Sequence, residues 1–522
     1  MATARENSLS TLASEELPIY SLPRSAIGWL TLFGPGAIVA SMTIGTGELI
    51  FSTRGGALFG YNILFVFVMI SLLKWGLVLA SSRHIVLTGV HPYQRMFDLP
   101  GPRGWFPLMC FLILAICMPI WVSFLSAVTG NLMAWVTGTS GNLEGGIDYL
   151  WGAVILAAAL VLTGTGGYSQ LERIQKAIVA ALIFCAGVTL IIYQPDWMAL
   201  LKGAFIPHLF AYPTWLNEAY PRIADQSVWV ETTRYVGVIG GGAFDYLVYT
   251  SFLREKAWGA SAAGPISNEQ LAVIASDPAH PVRKWLRAPF IDCSISFVLI
   301  VAFSAVFVAC GSMFLGPAHK VPDEKNFLDL QAQFMTRIHP WLLPLYVTGA
   351  FLTMFGTVYA SLEVAYTITS EMARAASREF VERHEQRIRK ITIGWCGIGG
   401  FVILFWLFVY LLAGGENKPR LLLAILTPAN LFTGVLMCGV FCFLNLWMDK
   451  KYLPRPLRMP VWLMLLNLVS FFVFLVLGVK GYWEHESREY ALWSLPVMLG
   501  IGVVGAALAN FILTRPKTTG RR

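Results

Sequence analysis

Gly34-Pro35-Gly36, followed after eight residues by Gly45-Thr46-Gly47-Glu48, opens the first apolar stretch of the chain. Gly237 and then Gly240-Gly241-Gly242-Ala243-Phe244-Asp245 interrupt another, near the middle. Each stretch sets a glycine three residues ahead of a carboxylate inside an otherwise apolar run. Glycine weakens a helix by about 1 kcal/mol relative to alanine, so clustered glycines favour an unwound segment. At membrane depth such a segment survives only where it faces protein or a wet cavity. A carboxylate at that depth costs roughly 2.5–3.5 kcal/mol on insertion scales. Together the two features predict a cation site built from freed carbonyls and carboxylate oxygens. Its candidate ligands are Glu48, Asp245, Gly45, Thr46 and Gly242. In the plainer alternative the glycines only allow close helix packing, and each acid pairs with a base. A phosphate loop is excluded, because no strand precedes the triple glycine and no Gly-Lys-Ser/Thr follows it.

The surrounding composition supports a membrane setting. Of 522 residues, 56% are hydrophobic and 13% charged, where a soluble domain carries about 25% charged residues. This rules out a disordered chain, a collagen-like chain and a disulfide-stapled secreted domain. The eight cysteines form no Cys-x-x-Cys pair or Cys/His cluster, so neither a disulfide framework nor a zinc site is expected. Twelve apolar runs read as spans, at about 28–52, 57–82, 105–136, 149–166, 173–193, 234–253, 289–315, 341–368, 391–413, 420–447, 460–479 and 491–513. The expected class is therefore an all-α polytopic membrane protein. The net charge of +8 needs no nucleic-acid partner, because cytoplasmic loops of membrane proteins collect Lys and Arg.

With the N-terminus inside, Lys and Arg favour the inner segments by roughly two to one, which predicts both termini in the cytoplasm. Residues 1–25 contain no apolar signal segment, and a multi-pass inner (plasma) membrane location is expected. The organisation read from the spans is a tail (1–27), a first repeat (28–193), an outer loop (194–233), a second repeat (234–447), two appended spans (460–513) and a tail (514–522). Corresponding broken helices in two halves of a chain point to an inverted-repeat transporter. Arg374 to Lys390 reads as a solvated amphipathic helix between spans, and the proline-bearing outer loop as a short gate or a plain connection.

Glu363, in span eight, is a candidate third ligand or ion-coupling acid, or else a structural hydrogen-bonding group. Lys74, in span two, is a possible counter-ion to Glu48 or Asp245, or a side chain that snorkels to the interface. Ser41, Tyr246 and Asn430 are weaker oxygen candidates. The loops carry no catalytic triad, paired carboxylates or nucleotide-binding motif, so no enzyme is expected.

The sequence resembles the Nramp divalent-metal transporters. The resemblance rests on Gly34-Pro35-Gly36 and its eight-residue gap, on Arg54-Gly55-Gly56 through Gly60-Tyr61, and on Thr88-Gly89. It continues in Leu171-Glu172, in Gln194-Pro195-Asp196-Trp197, and in Lys202-Gly203 with Pro207. It implies a LeuT-like 5+5 inverted repeat with about twelve helices and substrate bound between broken spans one and six. It implies no cofactor and leaves the oligomeric state open. The metal-site motifs differ: the family's span-one Asp-Pro-Gly-Asn stands here as Gly45-Thr46-Gly47-Glu48, and its span-six Met-Pro-His-Asn as Gly242-Ala243-Phe244-Asp245. The coordinating Asp and the soft Met are absent, and both Asn positions are carboxylates. Loss of a thioether favours harder cations, and an enlarged cavity suits a partly hydrated Mg²⁺. Divergent Nramp-related magnesium transporters offer a precedent.

The expected function is transport of a divalent cation of the Mg²⁺ or Mn²⁺ class by alternating access. The alternative is a LeuT-fold carrier of a small organic solute, an amine or amino acid, and a third reading is a non-transporting sensor. All eight histidines fall in tails, loops or span ends, and span three carries no acid. A proton relay of the kind that the resemblance implies therefore lacks its residues, and weak or absent proton coupling by that route is expected.

Overall fold

The computed structural model describes residues 23, 25–165, 168–322, 330, 342–413, 426, 428–484 and 488–514. Among these the secondary structure is helical, with no strand. Among the described residues, nine helices are long and apolar enough to cross a membrane. The two interrupted spans and the final helix complete the architecture read from the sequence.

Span one consists of α1 (Pro35–Thr43) and α2 (Thr46–Phe59), separated by Ile44 and Gly45. Proline at the first position of α1 suits a helix start, where its missing N–H would be unpaired anyway. The intact helices α3 (Leu64–Thr88), α4 (Trp105–Val136), α5 (Ile147–Thr165) and α6 (Tyr168–Tyr193) follow. Span six is again two pieces, α7 (Val228–Val238) and α8 (Ala243–Glu255). Then come α9 (Arg287–Cys310), α10 (Leu342–Ala376) and α11 (Arg378–Leu412). A π-helical turn at Leu431–Leu436 leads into α12 (Met437–Tyr452), and α13 (Val461–Trp483) and α14 (Arg488–Thr514) close the described chain.

Several boundaries differ from the sequence reading. Span six begins at Val228 rather than near 234, because Ser227 caps it by accepting from the Trp229 N–H at 3.2 Å. The outer loop is correspondingly shorter, and it carries a helix at Trp197–Phe205 capped by Asp196. The basic stretch is mostly exposed, and a kink at His384 sets its first turns apart from the apolar part that follows. Arg378 to Lys390 is the first part of α11, with non-helical dihedrals at His384. Residues 414–425, where span ten was expected to start, lie outside the described residues.

The broken spans pack tightly against their neighbours. Glycines permit the close approach: a Cβ at Gly56 would collide with the Val308 carbonyl of α9, and one at Gly434 with the Gly237 carbonyl of α7. Small residues at such crossings let backbones pack where hydrocarbon supplies no hydrophobic drive.

Candidate functional site

The break in span six is imposed by two consecutive left-handed residues, Gly240 (φ +76°) and Gly241 (φ +78°). A left-handed residue with a Cβ is disfavoured by roughly 1–2 kcal/mol, so the glycine run is required here. A Cβ on Gly241 would lie 2.8 Å from Thr43 Cγ2, which brings the two breaks into direct contact. The break in span one uses no positive φ. Its requirement is space, because a Cβ on Gly45 would collide with the Thr357 hydroxyl of α10.

A cavity of about 130 Å³ lies at this junction, where one water in the liquid takes about 30 Å³. Gly45, Gly241, Gly242 and Asp245 line it from the breaks, with Thr43 beside them. Thr357 and Ser361 of α10, Asn430 and Thr433 of span ten, and Trp121 and Phe124 of α4 face it from the other side. Asp245 sits in the first turn of α8, and its Oδ2 accepts from the Gly242 N–H at 2.6 Å. The carboxylate thus caps the helix while standing in the cavity wall.

The hydroxyls in the wall are poised as acceptors. Thr43 donates to the Val39 carbonyl at 2.8 Å, Thr357 to Thr353 at 3.0 Å, Ser361 to Thr357 at 2.8 Å and Thr433 to Ala429 at 2.7 Å. With its one proton committed, each hydroxyl has lone pairs left for the cavity. The Trp121 indole donates to Asn430 Oδ1 at 2.9 Å and holds that amide against the wall. The lining therefore offers one carboxylate and several neutral oxygens, which are hard ligands. Among the described residues no three His, Cys, Asp or Glu side chains converge to hold a metal.

The candidates read from the sequence divide. Asp245, Gly45 and Gly242 reach the cavity. The Thr46 side chain lies outside the described residues. Glu48 does not line the cavity: it is fully buried, and its Oε2 accepts from Ser52 at 2.9 Å and from Ser304 of α9 at 2.7 Å. Glu363 is also absent from the lining, because Arg389 binds it at 2.5 Å and joins it to the Thr163 carbonyl at 2.8 Å. Glu363 thus stands in an ion pair outside the cavity lining.

Lys74 neither reaches the interface nor bonds directly to a carboxylate. Its buried ammonium donates to the carbonyls of Val236 (2.8 Å), Ile239 (2.7 Å) and Gly241 (2.6 Å). The carbonyls freed by the break, expected as cation ligands, are thus bound by a side chain. Ser41 and Tyr246 are committed as well, to Gln175 and to the Gly240 carbonyl.

Thr43, Thr357, Ser361, Thr433 and the aromatic wall were not singled out in the sequence. Thr353, Thr357 and Ser361 recur every four residues, and that spacing on one helix face was the available signal.

Outside the breaks, Asp292 of α9 accepts from the N–H groups of Gly34 (2.9 Å) and Gly36 (2.6 Å) and from the Tyr249 hydroxyl (2.8 Å). It anchors the N-terminus of α1, where unpaired N–H groups favour a negative charge. The Gly34-Pro35-Gly36 motif is the backbone half of that anchor.

The family model described as "Nramp: Natural resistance-associated macrophage protein-like" matches residues 36–414. A divalent metal cation transporter MntH of Listeria welshimeri is 28% identical over 193 residues, covering 36% of this chain and 41% of that protein. A metal transporter nramp1 homolog of Dictyostelium discoideum is 28% identical over 181 residues, covering 33% of this chain and 32% of that protein. These matches thus span less than half the length of the curated relatives. The crystal structure of the Eremococcus coleocola manganese transporter with a bound aromatic bis-isothiourea compound superposes with a TM-score of 0.65. That match has 16% identity and covers 95% of this chain and 97% of the other. The fold is all-α and polytopic, a LeuT-like 5+5 inverted repeat. With the family model matched over most of its length, the chain belongs to the Nramp family.

Proposed function

We propose that this protein is a membrane transporter of divalent cations of the Mg²⁺ or Mn²⁺ class. The ion binds between the two helix breaks and moves by alternating access of one repeat against the other. The observation that carries the reading is the Asp245 carboxylate in a cavity whose neighbouring hydroxyls have committed their protons elsewhere. Such a set suits a hard cation that keeps part of its water shell. The relatives named as divalent metal cation transporters, and the similar fold of a manganese transporter, support the same substrate class. Met42 is among the lining residues, and a thioether there would leave room for Mn²⁺ beside Mg²⁺. In this reading both termini are cytoplasmic, and residues 28–193 and, with span six starting at Val228, 228–447 are the two repeats.

One observation favours a second reading. Phe51, Trp121 and Phe124 line the same cavity as Asp245, and aromatic faces beside a carboxylate recognise organic ammonium ions. Uptake of Mn²⁺ and Mg²⁺ into proteoliposomes, with competitors, separates the two. The divalent reading predicts that each metal inhibits uptake of the other and that methylammonium and amino acids do not. Saturable uptake of an organic amine with no divalent flux would replace it with the second reading.

A further inference from the structure

We propose that Lys74 is a tethered cation that permanently fills a small monovalent-cation site at the break of span six. The break frees carbonyls at the C-terminal end of α7, where the last four carbonyls of a helix lack intrahelical partners and carry its negative dipole end. The Tyr235 carbonyl is taken by the Ile239 N–H at 2.8 Å. Those of Val236, Ile239 and Gly241 converge on one point, and Lys74 Nζ occupies it at 2.6–2.8 Å from each. An ammonium has three donors and no acceptor, so its coordination is complete. The Gly240 carbonyl is held separately by Tyr246. Lys74 is fully buried and comes from α3, more than 160 residues away in sequence.

Three convergent carbonyls around a fully buried point, with Glu48 and Asp245 within electrostatic reach, form a site for a small cation. Without the lysine an unpaired carbonyl cluster would remain, and a free ammonium, sodium or potassium ion of the same charge fits it. With the lysine, the unwound stretch keeps its shape with no inorganic co-ion at this point. The cargo cavity on the far side of Gly241 then operates without one. The flux arm of the test rests on the transporter reading, whereas the melting arm does not.

The purified full-length Lys74→Met protein is melted in ammonium, sodium, potassium or choline chloride at constant ionic strength, beside the wild type. The variant is expected to gain about 3 °C or more in at least one small cation relative to choline, while the wild type stays flat. A variant that matches the wild type in choline and ignores every cation would overturn the proposal, as would a wild type that responds like the variant. If the variant cannot be purified in any salt, the wild type decides. Divalent uptake unchanged when choline replaces all small monovalent cations supports a tethered cation, and a tenfold fall in initial rate overturns it. A wild type with no divalent flux would sink the transport reading and leave the melting comparison standing.

Discussion

Arg54 of α2 grips Glu231 of α7 with two hydrogen bonds, Nε to Oε1 at 2.5 Å and Nη2 to Oε2 at 3.2 Å. Both side chains are buried, and the pair joins one half of broken span one to one half of broken span six. Arg234 and the Tyr235 hydroxyl add bonds to the same carboxylate at 3.2 and 2.6 Å. The two halves are therefore expected to move as one body during transport.

Removing Arg54 leaves the buried Glu231 carboxylate to Arg234 and Tyr235 alone, at some part of the about 3–5 kcal/mol that a fully unpaired buried charge costs, whereas an apolar pair of similar volume is often tolerated. Arg54→Met alone should lower the melting temperature sharply, and Arg54→Met with Glu231→Met should recover much of the loss. Thermal melts of the purified proteins check this. A double variant no more stable than the single one would contradict the account.

Neighbouring glycines at the break should respond differently. Gly241→Ala meets a left-handed φ and Thr43 Cγ2 at 2.8 Å, whereas Gly242→Ala has an ordinary φ of −99° and contacts no closer than 3.3 Å. The first should lose at least about 1–2 kcal/mol from backbone strain alone, and most of its uptake. The second should lose clearly less of both. Initial uptake rates and melts of the two variants, measured side by side, test the ordering.

Asp292→Asn keeps the shape of the anchor at α1 but turns one of its two acceptor atoms into a donor. Either the Gly34 or the Gly36 N–H then loses its partner, at about 1–3 kcal/mol for a buried group left unpaired. Hydrogen exchange at residues 34–40 should accelerate in this variant and stay unchanged in α13. Uniform acceleration across the chain would point to general unfolding instead.

Glu363→Gln separates a structural acid from a ligand. Since Arg389 holds Glu363 at 2.5 Å, the variant should melt lower while its KM for the divalent ion stays within about threefold, under 1 kcal/mol by the tenfold-per-1.4-kcal/mol scale. A tenfold rise in KM would place Glu363 on the ion's path.

The breaks were legible in the sequence because their signal is local: clustered glycine in an apolar run, with a carboxylate three residues on. The direction of each carboxylate was not. Glu48 and Asp245 hold matching positions in the first turns of α2 and α8, yet one faces the serines of α2 and α9 and the other faces the cavity. That outcome depends on how each half-helix is rotated by its neighbours, and tertiary packing decides it. The partners of Lys74 and Glu363 lie 162 and 26 residues away, so no window of sequence reports them. The basic stretch 374–390 was legible as a surface segment because its charges are local, and it is mostly exposed with a kink at His384. The wall hydroxyls carry only a weak spacing signal, because serine and threonine are common in spans and bond back to the preceding turn.

The central claim is that a divalent ion sits between the two breaks, held by Asp245. Crystals of the wild type and of Asp245→Asn soaked in Mn²⁺ test it through the anomalous signal of the metal. The account predicts one strong peak in the cavity bounded by Gly45, Asp245 and Thr357, lost or greatly weakened in the variant. A peak at Glu48 or Glu363, or a cavity peak indifferent to the loss of the Asp245 charge, would contradict it.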